Sequence, residues 1–500
     1  PVHYLSPIGI FWIGFNPSSP AAIFFFFILT FIVNVIVRML HKQFELSRAD
    51  LVLIYCMLLM AVTVPTWGLM FFLIGTLVYP FYYATPENNY AELFFDIIPA
   101  WMVPQDGEAI KYYYEGLPDG LNIPWNAWLE PMSWWLSFIF ALSLMLICMS
   151  SILHRQWSVH ERLAYPMVQL PQNMIEKDSD EKIGPFFRQG IMWLGFTIPF
   201  TLLSLNALNH YWPAVPQYSP SGQFSMFNET LHLPIFLNLA WVGFFYLVNL
   251  EITFSIWFFY VISKIQEGVF TTIGISSTET LSAYEYSQSA DLTHQATGAV
   301  VVLVLYGLWN ARDHLKDVYK KLLDPKIGVD DSGELLRYRT AVLVFLGCLM
   351  FISIWLWRSG IPIVVLPILI VISIIFFILV ARVVATGGVA TARSPIVPAY
   401  FIISGLGTSI LGAKGLVALN FTFIWQGESR TSPMVTASNG LKLAEIIPGS
   451  KTMLFWGLIL ALLCSLSGAA YMTLKLAYSY GAINLSLINW AGAHGWPYVG

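Results

Sequence analysis

The stretch PIVVLPILIVISIIFFILV at residues 362–380 contains no charged side chain and, as a helix, is long enough to cross the hydrocarbon core of a bilayer. Similar hydrophobic blocks recur along the whole chain. Hydrophobic residues make up 57% of the sequence and charged residues 11%, whereas about a quarter of an ordinary soluble domain is charged. The blocks are continuous, which favours helices over a membrane β-barrel. We therefore predict an all-α, polytopic integral membrane helical bundle of about ten transmembrane crossings, with broken helices and re-entrant hairpins.

The charges between the blocks predict how the bundle is oriented. Basic links at residues 38–48, 155–188 and 312–339 lie on the cytoplasmic side according to the positive-inside rule. The loop at residues 81–131 is acidic and rich in Tyr and Trp, which is typical of an external loop with interfacial aromatic side chains. Because basic residues bound the region between Lys264 and the third link, we expect this region to enter and leave by the same face, as a hairpin.

The most strongly charged link divides the chain into two membrane halves. We assign residues 1–311, with the external aromatic loop, to an N-terminal half, residues 312–340 to a cytoplasmic link, and residues 341–500 to a C-terminal half. Each half contains a block interrupted by helix-breaking residues, at residues 51–78 and 400–425. Transporters built from inverted repeats have broken helices in corresponding positions of their two halves. The pattern therefore favours a transporter.

Two interruptions supply candidate functional residues. The block at residues 51–78 is too long for one straight span, and Pro65 breaks it, so we assign Pro65 to a gate. Residues 385–392 are rich in Gly and Thr and predict irregular backbone, which is tolerated at membrane depth only where it is buried in protein or lines water. Gly387 and Gly388 are therefore candidates for the wall of a central cavity.

A carboxylate interrupts the apolar block at residues 234–262, which we predict to be one long helix directed inward. An ionisable group inside a span is costly unless it is paired, hydrated or protonated, so it marks a functional site by default. Glu251 is therefore a candidate proton carrier, and Asn249 beside it is a candidate coupling residue. The alternative is structural, with Glu251 nearer to cytoplasmic water or holding a helix through a hydrogen bond.

The segment WQGESRTSP at residues 425–433 gathers small residues and opposite charges beside a broken block. Helix ends there would offer N–H groups to a carboxylate, and Glu428 or Arg430 would pair with the charged termini of a zwitterion. Thr431 and Asn439 complete this candidate substrate site. The alternative is that charges at the end of a span serve as interfacial anchors.

A third candidate region is the cytoplasmic segment HERLAYP at residues 160–166. Pro166 and Pro171 disfavour a regular helix, so specific contacts must shape this stretch. We assign Glu161, Arg162 and Pro166 to a gate or coupling element. A plain structured loop is the alternative.

Two resemblances accompany these residues. Residues 161–166 resemble the E-x-L-x-F-P element of the oligopeptide transporter superfamily, and residues 427–442 are similar to its later D-x-K-T-G…A-[ST]-P…K-Q element, with the Gly and Pro positions displaced. Four other segments resemble a family of uncharacterised multi-spanning proteins from planctomycete-like bacteria: LSR at 46–48, IYCM at 54–57, FYYATPEN at 81–88 and RQW at 155–157. The superfamily implies proton-coupled uptake of small peptides or metal chelates. The bacterial family implies a location in the bacterial cytoplasmic (inner) membrane.

The sequence contains few features that would indicate an enzyme, a metalloprotein or a nucleic-acid-binding protein. The four cysteines lie inside apolar blocks, which suits buried packing. No histidine lies centrally in an apolar span and no HExxH motif occurs, so we expect no cofactor, no metal site and no enzymatic activity. The chain also lacks a basic run that would bind nucleic acid. The expected partners are membrane lipids, a small-molecule substrate and, in an assembly, another copy or a further membrane subunit.

The residues and the resemblances together predict a secondary transporter, coupled to protons, for small peptides or related zwitterionic or chelate solutes. The alternative is a non-transporting scaffold or subunit of a larger membrane complex. Transport requires a polar cavity near the midplane that water can reach. A scaffold requires a filled interior whose charged groups are all paired.

Overall fold

The computed structural model describes residues 20–65, 69–176, 183–218, 221–226, 231–275, 277, 279, 289–389, 392–427, 429, 432–447 and 451–485. In the N-terminal part the helices are α1 Pro20–Leu40, α2 Arg48–Ala61, α3 Met70–Tyr82, α4 Gly107–Glu115, α5 Trp125–Arg155, α6 Pro166–Ile175, α7 Gly190–Tyr211, α8 Leu239–Tyr246, α9 Leu250–Thr272 and α10 Ala290–Asn310. They are followed by α11 Arg312–Leu323, α12 Tyr338–Ser359, α13 Leu366–Gly387, α14 Pro398–Leu406, α15 Thr408–Gln426, α16 Pro433–Leu443 and α17 Thr452–Tyr480.

The architecture is the predicted all-α polytopic bundle. Within the described residues, eight helices are long and apolar enough to cross a membrane: α1, α5, α7, α10, α12, α13, α15 and α17. The shorter helices α2 and α3 follow one another across the predicted break, with 14 and 13 residues. An antiparallel hairpin of β1 Ser221–Met226 and β2 Leu231–Phe236 is the exception to the helical pattern in the described chain.

The core is built around α5. This 31-residue helix packs along α12 on one side and against α16 on another. The ring of Trp355 on α12 lies 4.7 Å from that of Trp135 and 4.5 Å from that of Phe138, measured between centroids. Aromatic rings bury large apolar areas, so this contact anchors α12 to the central helix. In contrast, no residue in the apolar window of α7 is buried, so this helix lies at the surface of the bundle.

The predicted external loop folds into a structured cap over one end of the bundle, which we call the aromatic end. Tyr113, Tyr114 and Trp128 are fully buried there. Trp128 Nε1 donates a hydrogen bond to the hydroxyl of Tyr478 (2.7 Å), and that hydroxyl donates to the carbonyl oxygen of Ala109 (2.9 Å). The polar atoms of Trp128 and Tyr478 are thus paired inside the cap, and α4 is joined to α17. We call the opposite end, which carries α11, the basic end.

The single helix predicted at residues 234–262 is wrong. The chain ends β2 at Phe236, forms α8, turns, and starts α9 after Asn249, whose side chain accepts a hydrogen bond from the Glu251 N–H. An asparagine in this N-cap role begins a new helix, which is why the apolar run is interrupted. Gln266 of α9 donates to Gln295 of α10 (3.0 Å), so the expected hairpin turn falls between these helices, largely outside the described residues.

Two other expectations about backbone need correction. Residues 385–387, expected to be irregular, are the last residues of α13, and the irregular stretch begins at Gly388. The stretch with Pro166 and Pro171, expected not to form a regular helix, is α6, in which Pro166 takes the first helical position where no intrahelical N–H is needed. The predicted breaks are confirmed between α2 and α3 and at Gly407 and Gly412, whose φ angles are positive. Glycine is favoured at such positions because it has no Cβ to clash.

We predict that Tyr478→Phe destabilises the protein by about 1–3 kcal/mol, because it leaves the buried Trp128 N–H without an acceptor. Thermal unfolding in detergent measures the effect. Tyr480→Phe on the same helix is the matched control, since Tyr480 is exposed. Equal unfolding midpoints for the two variants would show that the hydrogen bond at the aromatic end contributes nothing.

Candidate functional site

The short helix α16 is buried at the centre of the bundle. All residues from 434 to 441 are buried, including the polar residues Thr436, Ser438 and Asn439. The helix lies against α2, α5, α6 and α13. Ser150 of α5 donates a hydrogen bond to the Met434 carbonyl oxygen (3.0 Å), and Ser438 donates to Ser150 (3.4 Å). Small side chains and hydrogen bonds of this kind hold helices together where the surroundings are as apolar as the helices themselves.

Two interrupted helices run through the bundle in opposite directions. In one half of the bundle α2 packs against α16, and Cys56 Sγ lies 3.6 Å from the Gly440 carbonyl oxygen. In the other half α3 packs against α15, and the rings of Phe72 and Phe423 are 5.6 Å apart. Phe72 is near the start of α3 and Phe423 is near the end of α15, so these helices are antiparallel. The break between α2 and α3 therefore faces the break between α15 and α16.

A cavity of about 40 Å³ lies where the two breaks meet. The first break contributes Thr63 and Leu69, the second contributes Ser432, and the central helix contributes Ser143. Trp425, near the end of α15, also lines the cavity. This volume has room for a few water molecules. The described lining residues include hydroxyl groups but none that carries a charge.

The electrostatics of this central cavity favour a small polar or anionic group. The residues that begin α3 and α16 line the cavity, so both helices direct the positive ends of their dipoles toward it. No side chain caps α3, whereas Ser432 Oγ accepts from the Met434 N–H at the start of α16. Trp425 is 6% exposed, and its indole N–H has no hydrogen-bond acceptor in the described chain.

An ion pair joins the segment after α5 to α13. Arg382 Nη2 lies 2.5 Å from Glu161 Oε2, and Nη1 lies 3.3 Å from Oε1, so the contact is bidentate. Gln156 Nε2 also donates to Glu161 (3.0 Å). Each charged side chain is 16% exposed. A Cβ on Gly307 of α10 would lie 3.2 Å from the guanidinium, so the glycine leaves space for it. Paired and largely buried, these charges connect α5 to α13 strongly.

The backbone around this ion pair is equally constrained. The Tyr165 N–H donates to the Ala385 carbonyl oxygen (2.8 Å), and Tyr165 and Arg162 both have positive φ angles. Gly388 has φ 61°, and a Cβ there would lie 2.5 Å from Cβ of Pro166. Only glycine fits this position without a shift of the backbone. We call the contact between residues 161–166 and the end of α13 the Glu161 junction.

Beside the Glu161 junction lies a second polar cluster at the basic end. Lys442 Nζ donates to Ser158 Oγ (2.8 Å) and to Glu445 Oε2 (2.7 Å). Ser158 Oγ and His154 Nε2 contact the other oxygen of Glu445 at 2.5 and 3.1 Å. Burial alone would raise the pKa of Glu445, but the hydrogen bonds from His154, Lys442 and Ser158 outweigh it and lower the pKa to about 2. The cluster joins the end of α16 to α5.

The structure brings several sequence-predicted residues together. Pro166 of the predicted gate lies against Gly388, which follows Gly387, and Glu161 of the same segment pairs with Arg382 at the Glu161 junction. Arg162 itself is exposed.

Pro65 lies in the first break, directly after Val64 of the cavity wall. Asn439 is buried in α16, where its Nδ2 donates to the Val435 carbonyl oxygen and its Oδ1 has no partner in the described part of the chain. Glu428, Arg430 and Thr431 lie outside the described residues.

The structure separates Glu251 and Asn249 from the central cavity. Glu251 is exposed in the first turn of α9, and Asn249 is exposed at its N-cap. Glu251 is thus not among the residues that line the central cavity. Acidic residues are common in the first turn of a helix because they complement the helix dipole. The neighbouring Ile252 lies against Gly387, where a Cβ would be 3.2 Å from its methyl group.

Sequence reasoning missed three residues of the site. Arg382 is a lone charge close to a long apolar block, and that signal was available because such charges in spans usually have a partner. Trp425 and Ser143 carry no comparable signal. Their position in the cavity wall depends on how the helices pack.

Comparison with known proteins identifies a family, but the family has no assigned activity. A model described as "Family of unknown function (DUF6785)" matches residues 9–499. No curated protein and no solved structure matches the chain.

We predict that Glu445→Gln flattens the acid limb of the stability curve. Since the pKa of folded Glu445 is about 2, below its ordinary value of 4.5, the carboxylate stabilises the protein above about pH 4.5 and loses this effect as the pH falls toward 2. Unfolding midpoints measured from neutral to acid pH test this. Glu130→Gln, an exposed position at the aromatic end, is the control. If both variants follow the wild-type acid limb, the Glu445 cluster does not contribute to stability.

Proposed function

The chain belongs to this family of unknown function, and we propose that it is a secondary transporter for small peptides or related zwitterionic or chelate solutes. The antiparallel crossing of two interrupted helices around a central cavity is the observation that supports the proposal. Secondary transporters place substrate sites at the ends of discontinuous helices near the bilayer midplane. Irregular backbone at that depth is otherwise costly in a membrane protein.

The substrate group that the central cavity accepts is a carboxylate. Two helix N-termini offer positive potential, while Ser143, Thr63 and Ser432 offer hydroxyl groups. No acidic side chain is present among the described lining residues to repel an anion. A peptide or chelating acid would insert its carboxylate here, as the resemblance to the oligopeptide transporter superfamily implies.

The conformation described is closed. A cavity of about 40 Å³ is too small for a peptide, so α2, α3, α15 and α16 must move apart to admit one. The Glu161 junction closes the basic end, which the positive-inside rule assigns to the cytoplasm of the bacterial inner membrane. Loss of the charge-assisted pair between Glu161 and Arg382 would release the junction. The Glu161–Arg382 pair is therefore the coupling element of this proposal.

A scaffold within a larger membrane complex is the second candidate. The small size of the cavity favours a scaffold, because a scaffold does not need an interior space that a solute can enter. The exposed apolar surface of α7 and the extended β1–β2 hairpin would then meet a partner subunit. Measuring access to the cavity distinguishes the two functions.

We predict that a cysteine at Ser432 reacts with a thiol reagent that does not cross membranes. In a background without Cys56, Cys148, Cys348 and Cys464, Ser432→Cys should be labelled in proteoliposomes, and a peptide mixture added with a proton gradient should change the labelling rate, because helix movement opens the cavity. Mass spectrometry of the labelled protein gives the rate.

Ser373→Cys is the matched control, since Ser373 is buried beside Gln426 and does not line the cavity. A transporter requires labelling at position 432 that exceeds labelling at position 373. Equal, negligible labelling at both positions under every gradient would favour the scaffold.

We predict that Glu161→Gln lowers proton-driven uptake of a labelled tripeptide panel by about tenfold or more, since it removes the carboxylate that pairs with Arg382. Uptake into proteoliposomes with an imposed pH gradient measures the change. Glu251→Gln should retain wild-type uptake, because Glu251 is exposed and is not among the residues that line the cavity. If Glu251→Gln lowered uptake and Glu161→Gln did not, Glu251 would be the coupling residue, as the sequence alone predicted.

A further inference from the structure

An apolar groove of about 630 Å³ lies where α10 leaves the bundle and α11 begins. Its floor is formed by Leu305 and Leu308 of α10 and Leu315 of α11. The connecting residue Ala311 has helical backbone angles, so the two helices follow one another almost without interruption. We call this feature the α10–α11 groove.

One continuous face of the two helices forms the groove. Residues 305, 308, 312, 315 and 319 are spaced by three or four positions, which places them in a single stripe on helical backbone. Leu305 is 52% exposed and Trp309 is 67% exposed. An exposed apolar stripe that starts on a span and continues onto an amphipathic helix lies at the boundary between hydrocarbon and headgroups.

The polar rim of the groove is basic. Arg312 lies with its guanidinium 5.3 Å from the centre of the Trp309 ring, and Lys316 stands one helical turn further along. Lys316 gives one of its three donors to Asp313 (3.0 Å), which leaves donors for another acceptor. Tyr319 completes the rim with a further ring of amphipathic character. Trp and Tyr at this level are typical of the membrane interface.

We propose that the α10–α11 groove binds an anionic glycerophospholipid. Its phosphate contacts Arg312 and Lys316, and its acyl chain lies on Leu305, Leu308 and Leu315. The charge of α11 supports an anionic ligand, since this helix carries four Lys or Arg residues and two Asp residues. The apolar floor is continuous with the lipid-facing side of α10, which favours a lipid over a soluble phosphate or a protein segment. This inference does not depend on whether the protein transports a solute.

The test compares two variants of the full chain that remove the same charge. Arg312→Gln with Lys316→Gln alters the groove, whereas Lys320→Gln with Lys326→Gln alters charges of the same link that do not line it. The proteins are purified after exposure to phosphatidylglycerol or phosphatidylcholine vesicles, and native mass spectrometry counts the lipids retained. We expect the groove variant to bind phosphatidylglycerol about tenfold more weakly than wild type and the control variant to bind it normally.

Equal losses in the two variants would overturn the proposal, because they would mean that only the net charge of the link attracts the lipid. Retention of phosphatidylcholine at the wild-type level of phosphatidylglycerol would overturn it as well. Inorganic phosphate added in competition should leave lipid retention unchanged, and displacement of the lipid would identify a free-phosphate site instead. The unfolding midpoint in phosphatidylcholine should be the same for all three proteins, since the substituted side chains are exposed.

Discussion

A helix that stops inside a membrane leaves backbone donors and acceptors that hydrocarbon cannot satisfy, and this constraint organises the protein. The bundle has two such stops, and it buries them against each other. Within them the chain supplies its own partners: the Met70 N–H donates to the Val64 carbonyl oxygen, and Thr63 Oγ1 donates to the Met60 carbonyl oxygen. At the start of α16, Ser432 Oγ accepts a hydrogen bond from the Met434 N–H. The small cavity between the breaks is what remains after these groups are paired.

The two breaks are linked to the basic end through a continuous set of contacts. Ser429, in the second break, accepts from the Ser394 N–H (3.1 Å), which follows the end of α13. The other end of α16 carries Lys442, whose ammonium lies 5.8 Å from the Tyr165 ring centre in the Glu161 junction. An opening of that junction would therefore act on both ends of the segment that forms the cavity. Such coupling through packed, paired groups is the physical basis for the gate that we propose.

The polar groups of the bundle follow the same rule of compensation at three depths. Tyr478 and Trp128 pair at the aromatic end, Ser150 and Ser438 pair at the centre, and Glu161 and Arg382 pair toward the basic end. The side of the protein formed by α7 has few such pairs, and its apolar residues are exposed. The α10–α11 groove lies where an apolar surface meets basic side chains. These outer faces are apolar, whereas the interior contains the hydrogen-bonded and charged pairs.

Composition and the length of the apolar blocks determined that the chain is an all-α polytopic bundle, because hydrocarbon admits few other structures. Pro65 marked the break between α2 and α3, and Gly407 and Gly412 marked the interruptions before and within α15, since the backbone preferences of proline and glycine are local. The helix restart at Asn249 was missed because a polar residue in an apolar run has the same sequence signal whether it caps a helix or lies within a span. Only the tertiary structure decided that the two breaks meet, that Trp425 lines the cavity and that Glu161 pairs with Arg382. These contacts join residues that are far apart in the chain. Helix packing determines which residues meet, and a local sequence pattern cannot predict that packing.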